Sequence, residues 1–195
     1  GSEACENVLK LIRKYNHIKF GKHKNIVITF EGAFHGRTLG AQYMGGIAPL
    51  KDWIVHHDPD IIQVPFPDGY FNENTSFALF EETLAKKNIK LENVAGVFIE
   101  PFQGANIWIL PIPYAKELEK WCKKHNVLLC FDEVQSGFGR MGELYGYMYY
   151  GVECDIISLG KALSCSLPIS GTLARPEIMD IFPAEIGRAS CRERV

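Results

Sequence analysis

The sequence predicts an α/β fold: a mostly parallel sheet with helices on both faces. Three observations predict it. Strand-like and helix-like segments alternate along the chain. Several strand segments are unbroken apolar runs, the pattern of strands covered on both faces. Groups able to do chemistry, Phe34, Glu100, Asp132 and Lys161, stand at or just past the carboxyl ends of those runs, where ligands of such sheets bind. The chain's 195 residues suffice for one sizeable domain with its own core.

Each element has its own signal. Val8, Leu11, Ile12 and Tyr15 recur at helical spacing and predict a helix over residues 3–15. Ser2 is its expected N-cap, and Glu3 and Glu6 suit the positive end of its dipole. Ile26 to Phe30 reads as a buried strand, followed by a loop over 31–36 whose glycines let the backbone turn. A short helix is expected over 37–44. Ile61 to Val64 is a strand stopped by Pro65 and Pro67. Residues 76–87 form a helix with Phe77, Phe80 and Leu84 inward, and Val94 to Ile99 a strand ending at Glu100-Pro101. Tyr114, Leu118, Trp121, Cys122 and His125 mark an amphipathic helix. Pro111 and Pro113 precede it, and Lys123-Lys124-His125 complement its C-terminal dipole. Two apolar strands, 127–131 and 155–159, and a last short one over 170–174 complete the series.

Composition narrows the function classes. With 47% hydrophobic and 23% charged residues the balance is that of a globular chain. A formal net charge of -2 leaves no basic footprint for nucleic acid or an anionic membrane. No apolar stretch approaches the roughly 18 residues that a membrane span requires. The six cysteines include no Cys-x-x-Cys pair, which suits reduced thiols in a cytoplasmic protein. The ends read as those of a fragment. Gly1-Ser2 runs directly into a helical pattern without an initiator Met. Residues 185–195 lack periodicity and resemble the translation of a sequencing-library adapter, so residues 1–184 are expected to be the natural part.

Two residues carry the chemical expectation. Lys161 follows Gly160 at the end of an apolar run, where partial desolvation would favour a nucleophilic amine. Taken alone it also reads as a surface lysine. Asp132 ends the preceding run, where a buried carboxylate needs a partner. That partner is a protonated ring nitrogen, a salt bridge or a helix N-terminus. An amine and a carboxylate so placed suit pyridoxal 5′-phosphate, with Lys161 as the Schiff base and Asp132 on the pyridine nitrogen. Gln135 could reach the ring's phenolic oxygen or be a surface amide. Phe34-His35-Gly36 offers an aromatic face and close approach, or a core phenylalanine beside a loop histidine. Gly1 and Ser2 open a helix and suit a phosphate, or serve simple capping. His56-His57-Asp58 has no third ligand at matching spacing, so no metal site is expected. No glycine cluster forms a dinucleotide or Walker loop.

The stretches Gly1-Ser-Glu-Ala4, Phe34-His-Gly-Arg-Thr38, Glu100-Pro-Phe-Gln-Gly104, Phe131-Asp-Glu-Val-Gln-Ser-Gly-Phe-Gly-Arg140 and Ser158-Leu-Gly-Lys-Ala-Leu163 resemble the class III aminotransferases of the fold-type I pyridoxal phosphate enzymes. The resemblance runs to about Pro183. It implies the large domain of that fold and a pyridoxal 5′-phosphate cofactor. Lys161 would form the Schiff base and shuttle the proton. Asp132 would pair with the pyridine nitrogen and Gln135 with O3′. Phe34 would stack on the ring with His35 beside it, and Gly1 and Ser2 would hold the phosphate. It also implies a homodimer and a ping-pong exchange between an amino donor and a 2-oxo acid. Relatives specialised for ω-amino substrates carry Glu where this chain has Ala105, which argues against acetylornithine, ornithine and 4-aminobutyrate. The chain stops before the family's later phosphate-contacting Thr and its small domain, so the isolated fragment is expected to be inactive. Racemisation or decarboxylation on the same scaffold, and a truncated domain kept for its dimer surface, are the competing readings.

Overall fold

A computed structural model describes residues 1–164 and 166–182. Cys165 and the stretch expected to be a foreign tail lie outside the described residues. In chain order the elements are α1 (Ser2–Phe20), β1 (Ile26–Phe30), α2 (Leu39–Met44), β2 (Ile61–Val64), α3 (Ala78–Lys86), β3 (Val94–Ile99), β4 (Phe102–Gln103), β5 (Trp108–Ile109), α4 (Ile112–His125), β6 (Leu128–Asp132), α5 (Gly146–Tyr149), β7 (Ile156–Leu159), β8 (Gly171–Ala174) and α6 (Pro176–Met179). Six strands form one sheet in the order β2-β1-β3-β6-β7-β8. All neighbours are parallel except β7 and β8, and β4 and β5 make a separate antiparallel pair. The expected α/β class, with a mostly parallel sheet, is the observed one.

Every residue of β3 and β6 is buried, because helices cover both faces of the sheet. On one face α1 packs Cys5, Val8, Leu11 and Ile12 against Val27, Ala95, Phe98, Cys130 and Ile156. On the other, Phe80, Leu84, Tyr114, Leu118 and Trp121 from α3 and α4 meet Phe30, Val97, Ile99, Leu129 and Phe131. Residues of β1, β6 and β7 alternate between these two cores, the two-residue period of a pleated strand, while a register shift in the β1–β3 pairing lets Ala95 and Gly96 both face α1. Cys5, Cys122 and Cys130 are buried free thiols, and Cys154 is half-buried and free. Among the described residues no helix is long and apolar enough to cross a membrane.

Several boundaries differ from expectation for identifiable reasons. α1 runs on to Phe20, because the buried Asn16 donates to Ile12 O and Ala95 O and anchors an extra turn. The residues beyond it are exposed and carry no apolar period, so only Gly21 at φ +98° marks the stop. Ser2 is not the N-cap. Gly1 holds that position, and Ser2 Oγ instead accepts from Arg37 N. Glu6 serves a different helix from its own: its carboxylate accepts from Gly40 N, Ala41 N and the Thr38 hydroxyl at the start of α2. Pro113 lies inside the first turn of α4, where its missing N–H costs nothing, and Asn126 ends the helix at φ +53°. β6 ends one residue later than expected. Asp132 is thereby a strand residue, in register with Ser158.

The sheet order reverses direction at β1, which has β2 on one side and β3 on the other. A crevice at the carboxyl ends of β1 and β3 is the expected ligand position for such an order. α1 runs antiparallel to the strand that follows it, so its N-terminus is delivered to the same edge. It sits close to the sheet because Gly96 has no side chain: a Cβ there would lie 2.8 Å from Ile12 Cγ2. Gly96→Val is expected to destabilise the full-length protein by about 1–3 kcal/mol through overpacking. The loss should be partly relieved by Ile12→Ala, and thermal unfolding of both variants checks this.

Candidate active site

Four strand ends and one helix start converge at the carboxyl edge of the sheet. Phe34 and His35 follow β1, Glu100 follows β3, Asp132 ends β6 and Lys161 follows β7. Gly1 and Ser2 open α1 above them. The helix start fits because Gly160 is bare: a Cβ there would lie 3.1 Å from Gly1 Cα. These residues, with Gly36, Gly104, Ala105, Val134 and Gln135, line one cleft of about 350 Å³. All seven residues singled out in the sequence, Gly1, Ser2, Phe34, His35, Asp132, Gln135 and Lys161, are among its walls.

Asp132 is the most heavily supported group. It is 4% exposed. Its Oδ2 accepts from His35 Nδ1 at 2.8 Å and from the Cys5 thiol at 3.3 Å. Its Oδ1 accepts from the Ser158 hydroxyl at 2.8 Å and from Val134 N at 3.1 Å. Burial alone would raise this carboxyl. The hydrogen bond and charge of His35, then Ser158 and Val134, outweigh it and hold Asp132 below the usual carboxylate range. His35 is itself buried, its ring tilted by 30° against Phe98 with centroids 4.3 Å apart. Burial pushes the Cys5 thiol well up, so it stays protonated and able to donate.

Lys161 sits differently. Its strand is buried, but the side chain is exposed on the open side of the cleft, not desolvated as the apolar run suggested. Its backbone has φ +40°, a left-handed value that costs a side-chain-bearing residue about 1–3 kcal/mol and tends to mark functional positions. The ammonium donates to Gln135 Oε1. Gln135 in turn covers Gly104, where a Cβ would lie 2.6 Å from Gln135 Oε1. Phe34 leaves 39% of its surface exposed and so keeps a ring available at the cleft wall.

Three supporting residues carried weaker signals. Glu100 stands at a strand end as Asp132 does, and is 4% exposed. Its Oε1 accepts from Phe34 N at 2.8 Å and its Oε2 from Gly104 N at 2.9 Å. Burial pushes it up to about 7 despite the opposing pull of His35 and those two N–H bonds. Ser158 looks like an interruption in an apolar run, and only strand register shows that it faces Asp132. Cys5 reads as a small hydrophobe on a helix face, with no sequence mark of its partner. Outside the cleft, the buried Glu133 accepts from Gly146 N, Tyr147 N and the Ser136 hydroxyl, which ties the following loop to the strand end.

The chain is 40% identical over 184 residues to the succinylornithine transaminase of Citrobacter koseri, covering 93% of this chain and 42% of that protein. It is 38% identical to the enzyme of the same name from Salmonella paratyphi B, covering 93% and 41%. Among solved structures it is similar to an (S)-enantioselective omega-transaminase from Thermomicrobium roseum, with a TM-score of 0.85, 28% identity and coverage of 93% and 42%. It is also similar to an amine transaminase from an uncultivated Pseudomonas species in its PLP-bound (internal aldimine) form, with a TM-score of 0.85, 27% identity and coverage of 93% and 43%. The chain thus spans about two fifths of the length of these relatives. The family model for aminotransferase class-III matches residues 1–189, and that family depends on pyridoxal phosphate. Fold, cleft and match agree: the chain belongs to the class-III aminotransferases.

Proposed function

We propose that the protein containing this chain is a pyridoxal phosphate-dependent aminotransferase. It moves an amino group from an amino acid or amine donor to a 2-oxo acid by a ping-pong mechanism, through a Schiff base at Lys161. The observation that carries this reading is the convergence of Lys161, Asp132, Gln135, Phe34, His35, Gly1 and Ser2 on one cleft. Their chemistry suits the cofactor: an anionic acceptor, an amine, an aromatic face and a helix start line the same cleft.

When bound, the cofactor supplies an electron sink. Asp132 is kept ionised by its own donors and would pair with the ring's protonated nitrogen. His35 keeps Asp132 in place and in charge. Gln135, whose Oε1 accepts from Lys161 here, would serve the ring oxygen with its amide. Phe34 offers its face to the ring. Gly1 and Ser2 present the first N–H groups of α1 and its positive dipole end to the phosphate. Lys161 would hold the cofactor through its amine and, once freed, would be the base that takes the proton from the donor carbon.

Residues 1–184 are read as the cofactor-binding large domain, and 185–195 as a non-native tail. The full-length protein is read as a cytoplasmic homodimer. The chain spans about two fifths of its relatives' length, and the isolated chain is expected to be inactive. Ala105 on the cleft wall disfavours donors that need an acidic gate at that position.

In the full-length protein, Lys161→Ala should abolish covalent attachment of the cofactor and lower turnover by about 10³-fold or more. Borohydride reduction followed by peptide mass spectrometry checks the attachment, and a label on any other lysine refutes the assignment. Asp132→Asn should lower turnover by about 10²-fold, since it removes the charge facing the ring while keeping the shape. Given one amino acid and no 2-oxo acid, the enzyme should stop after one half-reaction with keto product formed. Loss of optical rotation without keto product would indicate a racemase.

A further inference from the structure

One buried side chain that the transamination chemistry does not require bonds to backbone on two walls of the cleft. We infer that Glu100 is a positioning residue that ties the loop bearing Phe34 and the turn bearing Gly104 to the end of β3, and so sets the affinity of the site for its cofactor. This inference rests on the cofactor reading given above.

The geometry is a two-pronged tether. Oε1 of Glu100 accepts from Phe34 N at 2.8 Å, and Oε2 accepts from Gly104 N at 2.9 Å. The first bond fixes the loop after β1, and so the aromatic wall. The second fixes the turn between β4 and β5, whose Gly104 lies against Gln135 and whose Ala105 lines the cleft. The two loops are also joined by Gln103 Nε2 donating to Glu31 O and Asn106 Nδ2 donating to Gly32 O, while Phe34 N and Gly104 N are held by Glu100. The first contains Gly32 and Gly36, both with positive φ, and the second contains Ile107 at φ +59°, an uncomfortable value for a β-branched residue.

Only the ionised carboxylate can accept from both amides at full strength. A protonated carboxyl turns one oxygen into an O–H, a poor acceptor facing an N–H donor. The charged and titratable groups facing Glu100 are His35 from the loop after β1 and Asp132 from the end of β6. Burial and Asp132 favour protonation, while His35 and the two N–H bonds oppose it, and the balance puts Glu100 at about 7. Above that value both prongs hold. As the pH falls through it one prong is released, and affinity for the cofactor falls.

The test uses the full-length apoprotein and its Glu100→Gln variant. Glutamine keeps one acceptor oxygen and turns an NH₂ toward the second amide. In Glu100→Gln the amides of Phe34 and Gly104 should exchange with solvent about 10-fold faster than in the wild type, with sheet amides such as Phe98 and Phe131 unchanged. The dissociation constant for pyridoxal 5′-phosphate, measured by titration from pH 6 to 8.5, should rise about 10-fold at the alkaline end. The wild type should show an affinity step near pH 7 that the variant lacks. Unchanged exchange at both amides, or the same pH profile in both proteins, overturns the inference. If the variant fails to fold, protection factors of Phe34 and Gly104 in the wild type between pH 6 and 8.5 decide: no change relative to Phe98 overturns it. The exchange arm needs no cofactor, so failure to bind pyridoxal phosphate at all would sink the aminotransferase reading while leaving the tether tested.

Discussion

The ionised carboxylate of Asp132, buried at the end of β6, is the constraint around which the rest of the structure is arranged. An unpaired charge at 4% exposure would cost several kcal/mol. Four donors offset that cost, and they come from four different segments: Cys5 from α1, His35 from the loop after β1, Val134 from the turn beyond β6, and Ser158 from β7. No local stretch of chain could supply them. The first helix, the β1 loop and β7 must all be docked before the carboxylate is tolerable, so the charge is stable only in the finished fold. Each of these donors also restricts how Asp132 can point, and the residue still lines the cleft.

The parallel sheet explains why so many functional groups meet. Parallel neighbours end on the same edge, so β1, β3, β6 and β7 deliver Phe34, Glu100, Asp132 and Lys161 to one side. The helix that precedes β1 contributes its N-terminus there as well. Glycines let the pieces close up, at Gly96 under Ile12 and at Gly160 beside Gly1. Acidic side chains then lock the connecting loops to strand or helix ends: Glu6 at the start of α2, Glu100 across two loops and Glu133 at the start of α5. This pattern of carboxylates accepting from backbone N–H groups recurs wherever a loop near the cleft would otherwise have unpaired donors.

Much of the fold was legible because its signals are local. Strand and helix periods over Val94–Ile99, Tyr114–His125 and Leu128–Phe131 place those elements to within a residue or two. The short β4–β5 pair was not legible, since two-residue strands carry no period. The end of α1 was missed because an exposed final turn has no apolar pattern. Ser2 and Glu6 illustrate a different failure. Both residue types suit a helix start, yet the donors they meet belong to the segment around α2, more than thirty residues away in sequence. Lys161 illustrates another: a buried strand implies a desolvated neighbour, but the chain leaves the strand at φ +40° and turns the amine outward.

What the sequence determined by itself was the alternation of elements, the apolar character of the strands and the identity of the polar residues at their ends. These follow from covalent order and side-chain period alone. Tertiary structure decided which donor each carboxylate meets, since His35 and Asp132 are separated by 97 positions and Cys5 and Asp132 by 127. It also decided that Glu100 spans two loops and that Lys161 reaches Gln135. Hydrogen bonds act over about 3 Å whatever the separation along the chain, so their pairing is set by strand order and register, which no local pattern encodes.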